Sequence, residues 1–375
     1  MKVYCTRCVF SSETPNINFD SHGVCNYCRQ VDALQEQYGT GETRGKIELA
    51  KVVDRIKKKG KGRQYDCIIG LSGGTDSSYM LHWAIEEGLR PLGVHYDNTW
   101  NSAFATLNIA SVTDALDVDL YTHVVSNKEV DDIYRAFMLA GVPEFDACTD
   151  IAFAAVLRLV AIKYKIPFIL EGHSFMAEGI SPQLNNYFDG KYVEDVHSKF
   201  GSQRIDTFPN LTLSLFMRSI IFSGVEFIRP LWYMKYEKSK AQDLLTSRYG
   251  WIYYGGHHLE NYASAFLHTI YNPLKFGIDN RDWSLAAEAR TGLVNREEAI
   301  ELLSTPPEVN EDLLEYTLSR LNLTDADWQA ILSAPKKSHK DFRTYKRTFK
   351  VLRPFFYVAL IFGRIPRSFY IKYCR

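Results

Sequence analysis

The chain has 375 residues, 44 Lys and Arg against 44 Asp and Glu, and 46% hydrophobic residues. Such a chain can bury one large core or two modest ones. The zero net charge is uneven: residues 336–375 hold twelve basic residues and one acid, Asp341, leaving 32 basic against 43 acidic residues before them. An acidic body disfavours nucleic acid as a partner. The longest apolar run, 355–362, falls far short of the ~20 residues that cross a bilayer. With Met1-Lys2-Val3-Tyr4 and no apolar leader, a cytoplasmic protein with reduced thiols is expected.

In chain order, the first signal is Cys5-Thr6-Arg7-Cys8 and Cys25-Asn26-Tyr27-Cys28, with sixteen residues between the pairs. Two such knuckles close a tetrahedral thiolate site, and Cys5, Cys8, Cys25 and Cys28 are expected to hold a structural Zn2+ with no open position. Two disulfides would need an oxidising compartment, and an iron–sulfur site is the other competitor. Residues 31–63 read as a helix and a solvated linker ending in Lys57-Lys58-Lys59-Gly60-Lys61.

From Tyr65 the pattern alternates. Strands are predicted at 65–71, 91–97, 119–125, 167–171 and 225–230, with helices near 78–88, 101–116, 128–140 and 150–165. Alternation of this kind implies an α/β fold with a parallel sheet, whose ligand sits beyond the carboxyl ends of the strands. The turn after the first strand is Ser72-Gly73-Gly74-Thr75-Asp76-Ser77-Ser78. Paired glycines let backbone approach an anion, the following helix start points its amides there, and the hydroxyls add donors. Asp76 can hold the Mg2+ that accompanies a triphosphate. No lysine precedes the last Ser, as a Walker A loop requires. The loop resembles the PP-loop of the ATP pyrophosphatases, the adenine nucleotide α-hydrolase-like enzymes that split ATP into AMP and pyrophosphate.

Asp97, at the end of the second strand, is read either as a ligand of ribose or metal or as a helix cap. Gly172-His173 stands where PP-loop enzymes carry a Gly-His pair followed by acids, which makes Glu178 the candidate second carboxylate. His173 is read as a site residue or as a satisfied loop histidine. The polar stretch 181–204 is expected to be a lid over the strand ends. Helices are expected over 235–249, 259–271 and 283–333, the last broken at Thr305-Pro306-Pro307, with a short strand at 251–254.

Two blocks lie outside periodicity: Tyr254-Gly255-Gly256-His257-His258-Leu259-Glu260, and Pro273-Leu274-Lys275-Phe276-Gly277-Ile278-Asp279-Asn280-Arg281. Together with the ribbon, the PP-loop and the Gly-His loop, they resemble the N-acetyl sugar amidotransferases of bacterial surface-polysaccharide synthesis, the WbpG-like O-antigen and flagellin-sugar enzymes. Those relatives often carry lysine where this chain has Asn280. The resemblance implies ATP on the PP-loop and adenylation of the acetamido oxygen of a UDP-linked N-acetyl sugar, a diacetamido uronic acid being preferred. Ammonia then leaves an acetamidino group. His257, His258, Lys275 and Arg281 become candidates for gripping phosphate or carboxylate. No cysteine here has a glutaminase setting, so a separate triad-type glutaminase and a barrel-shaped ammonia-channel protein are expected partners.

The expected organisation is a ribbon at 1–30, helix and linker at 31–63, the PP-loop domain at 64–257, a helical extension at 258–335 and a basic aromatic tail at 336–375. The tail is read as a docking surface or as packed on its own domain. The rival reading is a PP-loop tRNA thiolase with an amino-terminal zinc ribbon. It needs a reactive cysteine near the adenylate, and Cys67, Cys148 and Cys374 are what the chain offers.

Overall fold

The structure, a computed structural model, describes every residue except Met1, Ser181, 183–186, His257, His258 and Arg375. After the ribbon come helices α1 (Asn26–Tyr38) and α2 (Thr43–Gly60). Strands β1 (Cys67–Gly70), β2 (Pro91–Asp97) and β3 (Leu120–Val124) then alternate with α3 (Thr75–Glu86) and α4 (Ala103–Ala115). Helices α5 (Asn127–Ala140) and α6 (Ala147–Tyr164) precede β4 (Phe168–Leu170). Next come α7 (Gly190–Phe200), α8 (Leu213–Arg218), β5 (Glu226–Ile228) and α9 (Lys238–Tyr249).

All five strands are parallel, in the order β3-β2-β1-β4-β5, with Ile68 opposite Leu92 on one side and Ile169 on the other. Each predicted strand from 65 to 230 is present. Because side chains alternate across a strand, the sheet feeds two cores. Ile68, Val94 and Ile169 face Ile133 and Phe137 of α5 and Val156 of α6. Cys67, Ile69 and Leu170 face Met80 of α3, Val112 of α4 and Leu245 of α9. The strand order reverses direction between β1 and β4, and in open α/β sheets that crevice takes the ligand.

Several expectations change. The helix expected within 31–63 is present, but the stretch ending in the lysines is part of α2 rather than a solvated linker: α2 buries Leu49, Val53 and Ile56, and its Lys59 reaches Glu226 at 3.0 Å. No strand forms at 251–254, because the amide of Asn108 takes the partner's place. Its Nδ2 donates to Ile252 O at 2.8 Å and its Oδ1 accepts from Ile252 N at 2.7 Å. Part of the expected lid lies outside the described residues. Of its described part, Phe188 lines the cavity at the strand ends, while α7 buries Tyr192, Val193 and Val196 in the α5 core.

The carboxy-terminal region is helical: α10 (Tyr262–Phe266) with a π-helical continuation through Phe276, then α11 (Arg281–Thr291), α12 (Arg296–Ser304), α13 (Glu311–Arg320) and α14 (Asp325–Ser333). The break at 305–307 stands. The tail forms α15 (Lys346–Val351) and α16 (Arg353–Ile361), and its Phe349, Phe356 and Tyr370 share a core with Phe216 and Ile220. No described helix is long and apolar enough to cross a membrane.

Candidate active site

The loop after β1 is held open by its own hydroxyls and by two outside donors. Ser72 Oγ accepts from Gly74 N at 3.2 Å, Ser77 Oγ donates to Gly74 O at 3.2 Å, and Ser72 N donates to Ser77 Oγ at 3.3 Å. Trp251 Nε1 and Asn108 Nδ2 both donate to Gly73 O, at 3.1 and 3.2 Å. Gly73 has φ +82°, and a Cβ there would collide with Ala105 O, so both conformation and space require glycine. Gly74 caps α3 with extended backbone. Thr75 Oγ1 accepts from Gln242 at 3.3 Å, and Ser78 is buried with its N–H on Gly74 O. The first-turn amides of α3 have no intrahelical acceptor, which leaves an anion cradle facing the crevice.

Asp76 stands in the first turn of α3. Its carboxylate accepts from the Tyr236 hydroxyl and pairs with Lys238 Nζ at 3.3 Å. Burial opposes the charge on Lys238, but Asp76, Glu178 and Glu260 outweigh burial and raise its pKa. Gly172 closes the other side: a Cβ there would lie 2.9 Å from Asp76 O, so the loop after β4 passes this close only with glycine. His173 follows, half-buried, with Nδ1 accepting from Trp232 Nε1 at 3.2 Å and Nε2 3.5 Å from Glu178. Burial, then the neighbouring Arg229, push its pKa down to about 4. The ring is therefore neutral at pH 7, with its proton on Nε2 toward the Glu178 carboxylate. Glu171 is bound by Arg229 at 2.6 Å, which outweighs burial and holds the carboxyl below its usual range.

These groups wall one cavity of about 690 Å³, within the ~300–1,000 Å³ typical of ligand sites. A second compartment of about 400 Å³ adjoins it across Ser72, Asp150, Phe153 and Glu260. The Gly-Gly-His block folds over the loop: Glu260 Oε1 and the Tyr254 hydroxyl each lie 3.1 Å from where a Gly74 Cβ would stand. Arg158, Arg229, Lys238 and Lys372 add cations to the walls. None of these four was foreseen, since they come from α6, the β5 end, α9 and the tail, with no spacing that links them.

The candidates divide by position. Asp76, Ser72, Gly74, Thr75, Ser77, Gly172, His173 and Glu178 meet at the cavity. Lys275 does not: it is 3% exposed, and its Nζ donates to Ile331 O at 2.5 Å and Ala334 O at 2.9 Å, closing the end of α14. Arg281 is also engaged elsewhere, with Asp279 at 2.6 Å and Thr305 O at 2.6 Å. Asp97 accepts from Thr99 N at 2.8 Å in a tight turn, and α4 begins later with Ser102 as its cap, so Asp97 is not the helix cap of the alternative reading. His257 and His258 lie outside the described residues.

At the amino terminus Cys5, Cys8, Cys25 and Cys28 are buried with their sulfurs within 4.8 Å of one another, a donor set fit for one thiophilic metal ion. Arg290 of α11 donates from Nε to Cys28 Sγ at 3.3 Å, and both its Nη atoms are buried without a hydrogen-bond partner. A guanidinium here offsets the negative charge of four thiolates around a divalent ion. Arg296 Nε donates to Cys5 O at 2.8 Å, and Leu285, Ala286 and Ala299 pack into the ribbon's core.

Residues 260–354 match the family model described as "LPS biosynthesis protein WbpG-like, C-terminal domain". Over this quarter of its length the chain is similar to a WbpG-like carboxy-terminal domain. That segment begins at Glu260, over the Ser72–Ser78 loop, and supplies Arg290 to the cysteine cluster. It also contains Lys275 and Arg281, whose charges its own backbone and side chains satisfy. No curated protein matches the chain. Among solved structures, NMN synthetase from Francisella tularensis is similar at 15% identity and TM-score 0.32, over 74% of this chain and 92% of that one. The U34-tRNA thiolase NcsA from Methanococcus maripaludis, with its 4Fe–4S cluster, is similar at 13% identity and TM-score 0.35, over 80% of this chain and 89% of that one. The chain has an α/β fold built on a five-stranded parallel sheet, with a four-cysteine cluster before it and a helical region after it.

Proposed function

We propose that the protein is an ATP-dependent amidotransferase that converts an acetamido group of a UDP-linked N-acetyl sugar to acetamidino in surface-glycan synthesis. The observation that carries this reading is the meeting of the WbpG-like domain with the PP-loop: Glu260 stands against Gly74 inside a cavity that also holds Gly172, His173 and Glu178.

In this reading the triphosphate lies on the Ser72–Ser78 amides and hydroxyls. The acetamido oxygen attacks the α-phosphorus and pyrophosphate leaves. Ammonia adds to the activated carbon and loses a proton, and AMP departs with the former acetamido oxygen. Lys238 and Arg229 offset charge that gathers on the leaving phosphates. Glu178, 3.5 Å from His173 Nε2, is placed to take the proton from the attacking ammonia. Mg2+ bound with ATP would find its protein oxygens among Asp76, Glu178 and Glu260, and would neutralise phosphate charge. Zn2+ in the cysteine cluster would be structural. Ammonia would come from a separate triad-type glutaminase through a barrel-shaped partner, in the cytoplasm.

The thiolation alternative needs a thiol at the adenylate. Cys67, Cys148 and Cys374 are all buried, and none of them lines the cavity. Burial pushes the Cys148 thiol well above its ordinary pKa, away from the thiolate that sulfur transfer requires.

The test is mass spectrometry of a reaction with ATP, Mg2+, an ammonium salt and UDP-diacetamido-mannuronic acid. A product with one oxygen replaced by NH, formed with equimolar AMP and pyrophosphate, is expected. AMP formation that depends on tRNA and not on sugar would transfer the assignment to thiolation.

A further inference from the structure

Two cations in the cavity form no ion pair among the described residues: Glu171 acts on Arg158, and Asp150 and Glu144 on Lys372, only from beyond pairing distance, and buried charge is costly unless a closer anion supplies a partner. Arg158, on α6, is 8% exposed. Its Nη1 donates to Ala154 O at 2.9 Å, and among the described residues it forms no ion pair. The guanidinium lies over Phe227 at 4.6 Å and Phe216 at 5.2 Å and fronts the cavity. Lys372, from the tail, lies over Phe188 at 4.3 Å and has no hydrogen bond or ion pair among the described residues. Rings join the two: Phe216 meets Phe369 at 5.0 Å, and Phe369 stacks on Tyr373 at 4.7 Å. Lys238 and Arg229, by contrast, are already engaged with Asp76 and Glu171.

We propose that Arg158 and Lys372 form a second anion subsite, apart from the PP-loop cradle, that receives the anionic group of the sugar substrate against the Phe216–Phe369–Tyr373 wall. This rests on the nucleotide-sugar reading above and adds where that substrate is gripped. A guanidinium fork suits a phosphate or a carboxylate equally, and aromatic faces suit the ring that carries it. The anion is thus either the diphosphate or the uronate carboxylate. Burial lowers Lys372 to about 8, so an arriving anion also serves to keep it charged.

The test is calorimetric titration of the full chain, saturated with α,β-methylene-ATP, using UDP and glucuronate as separate probes, in wild type, R158Q and K372Q. Losing one charge-assisted contact is expected to weaken the recognised probe about tenfold or more, with affinity for the ATP analogue unchanged in both variants. Weakened UDP identifies the diphosphate, and weakened glucuronate the carboxylate. The subsite is overturned if neither probe binds wild type, if both variants bind both probes as wild type does, or if the ATP analogue weakens by the same factor as the probe. Failure of the ATP analogue to bind wild type would instead overturn the functional reading. Should R158Q fail to fold, K372Q, near the end of the chain, carries the test alone.

Discussion

The indole N–H of Trp232 donates to Nδ1 of His173 at 3.2 Å, which fixes the imidazole proton on Nε2, 3.5 Å from Glu178. One hydrogen bond therefore decides which face of the ring addresses the cavity. In W232F the proton is free to change nitrogen. Nitrogen-15 imidazole shifts are expected to move from the Nε2-protonated pattern toward a tautomer mixture, and AMP release to fall about tenfold with KM for ATP unchanged. An unaltered imidazole spectrum would refute this arrangement.

A pH consequence follows from the same ring. Its folded pKa is lowered from 6.5 to about 4, so between those values the unfolded chain binds the proton that the native chain refuses. The contribution of neutral His173 to stability is fully present above pH 6.5 and is lost as pH falls toward 4. Thermal melts of H173Q should consequently lose less stability than wild type on acidification through this window. Parallel curves would count against a depressed His173.

Gly73 tests the cradle. G73A places a Cβ against Ala105 O at φ +82°. The loop must shift at a cost of about 1–3 kcal/mol, and the thermal stabilisation given by ATP should disappear while far-ultraviolet circular dichroism stays native. Retained ATP stabilisation would place the nucleotide elsewhere.

Arg290 tests the cysteine cluster. R290M removes the Nε–H donor to Cys28, and metal affinity measured against a chromophoric chelator should drop about 10–100-fold. Metal removal should also lower the melting temperature of the carboxy-terminal helical region, because Leu285, Ala286 and Ala299 lie in the ribbon's core. Unchanged affinity in R290M would show that the guanidinium does not sense the thiolates.

Lys275 separates structure from chemistry. K275M leaves two helix-end carbonyls, Ile331 O and Ala334 O, without their donor. Denaturant unfolding is expected to lose about 1–3 kcal/mol, with KM for ATP unaltered. A selective rise in that KM would return Lys275 to the site.

The parallel sheet was legible because short apolar runs ended in glycines and polar turns, and because Ser72–Ser78 joined a strand to a helix start. Gly172 and His173 followed from the same logic, since the loops after β1 and β4 flank the reversal of strand order. Charge was harder to read. Lys275 and Arg281 stand in a block with a motif's appearance, yet their partners are carbonyls and Asp279, and no local pattern distinguishes those from a ligand's oxygens. Arg158 and Lys372 reach the cavity only through tertiary packing, so neither had a signal along the chain. The strand expected at 251–254 failed for a similar reason: Asn108, distant in sequence, supplies one residue's worth of ladder.

Two of the six tryptophans touch this machinery directly, Trp251 through Gly73 O and Trp232 through His173. Indole emission responds to the dipoles and protons around it, so occupancy of the crevice should be readable as a fluorescence change without any attached dye. Substituting either tryptophan in turn would assign the signal to the loop or to the histidine, giving each half of the crevice its own optical clock.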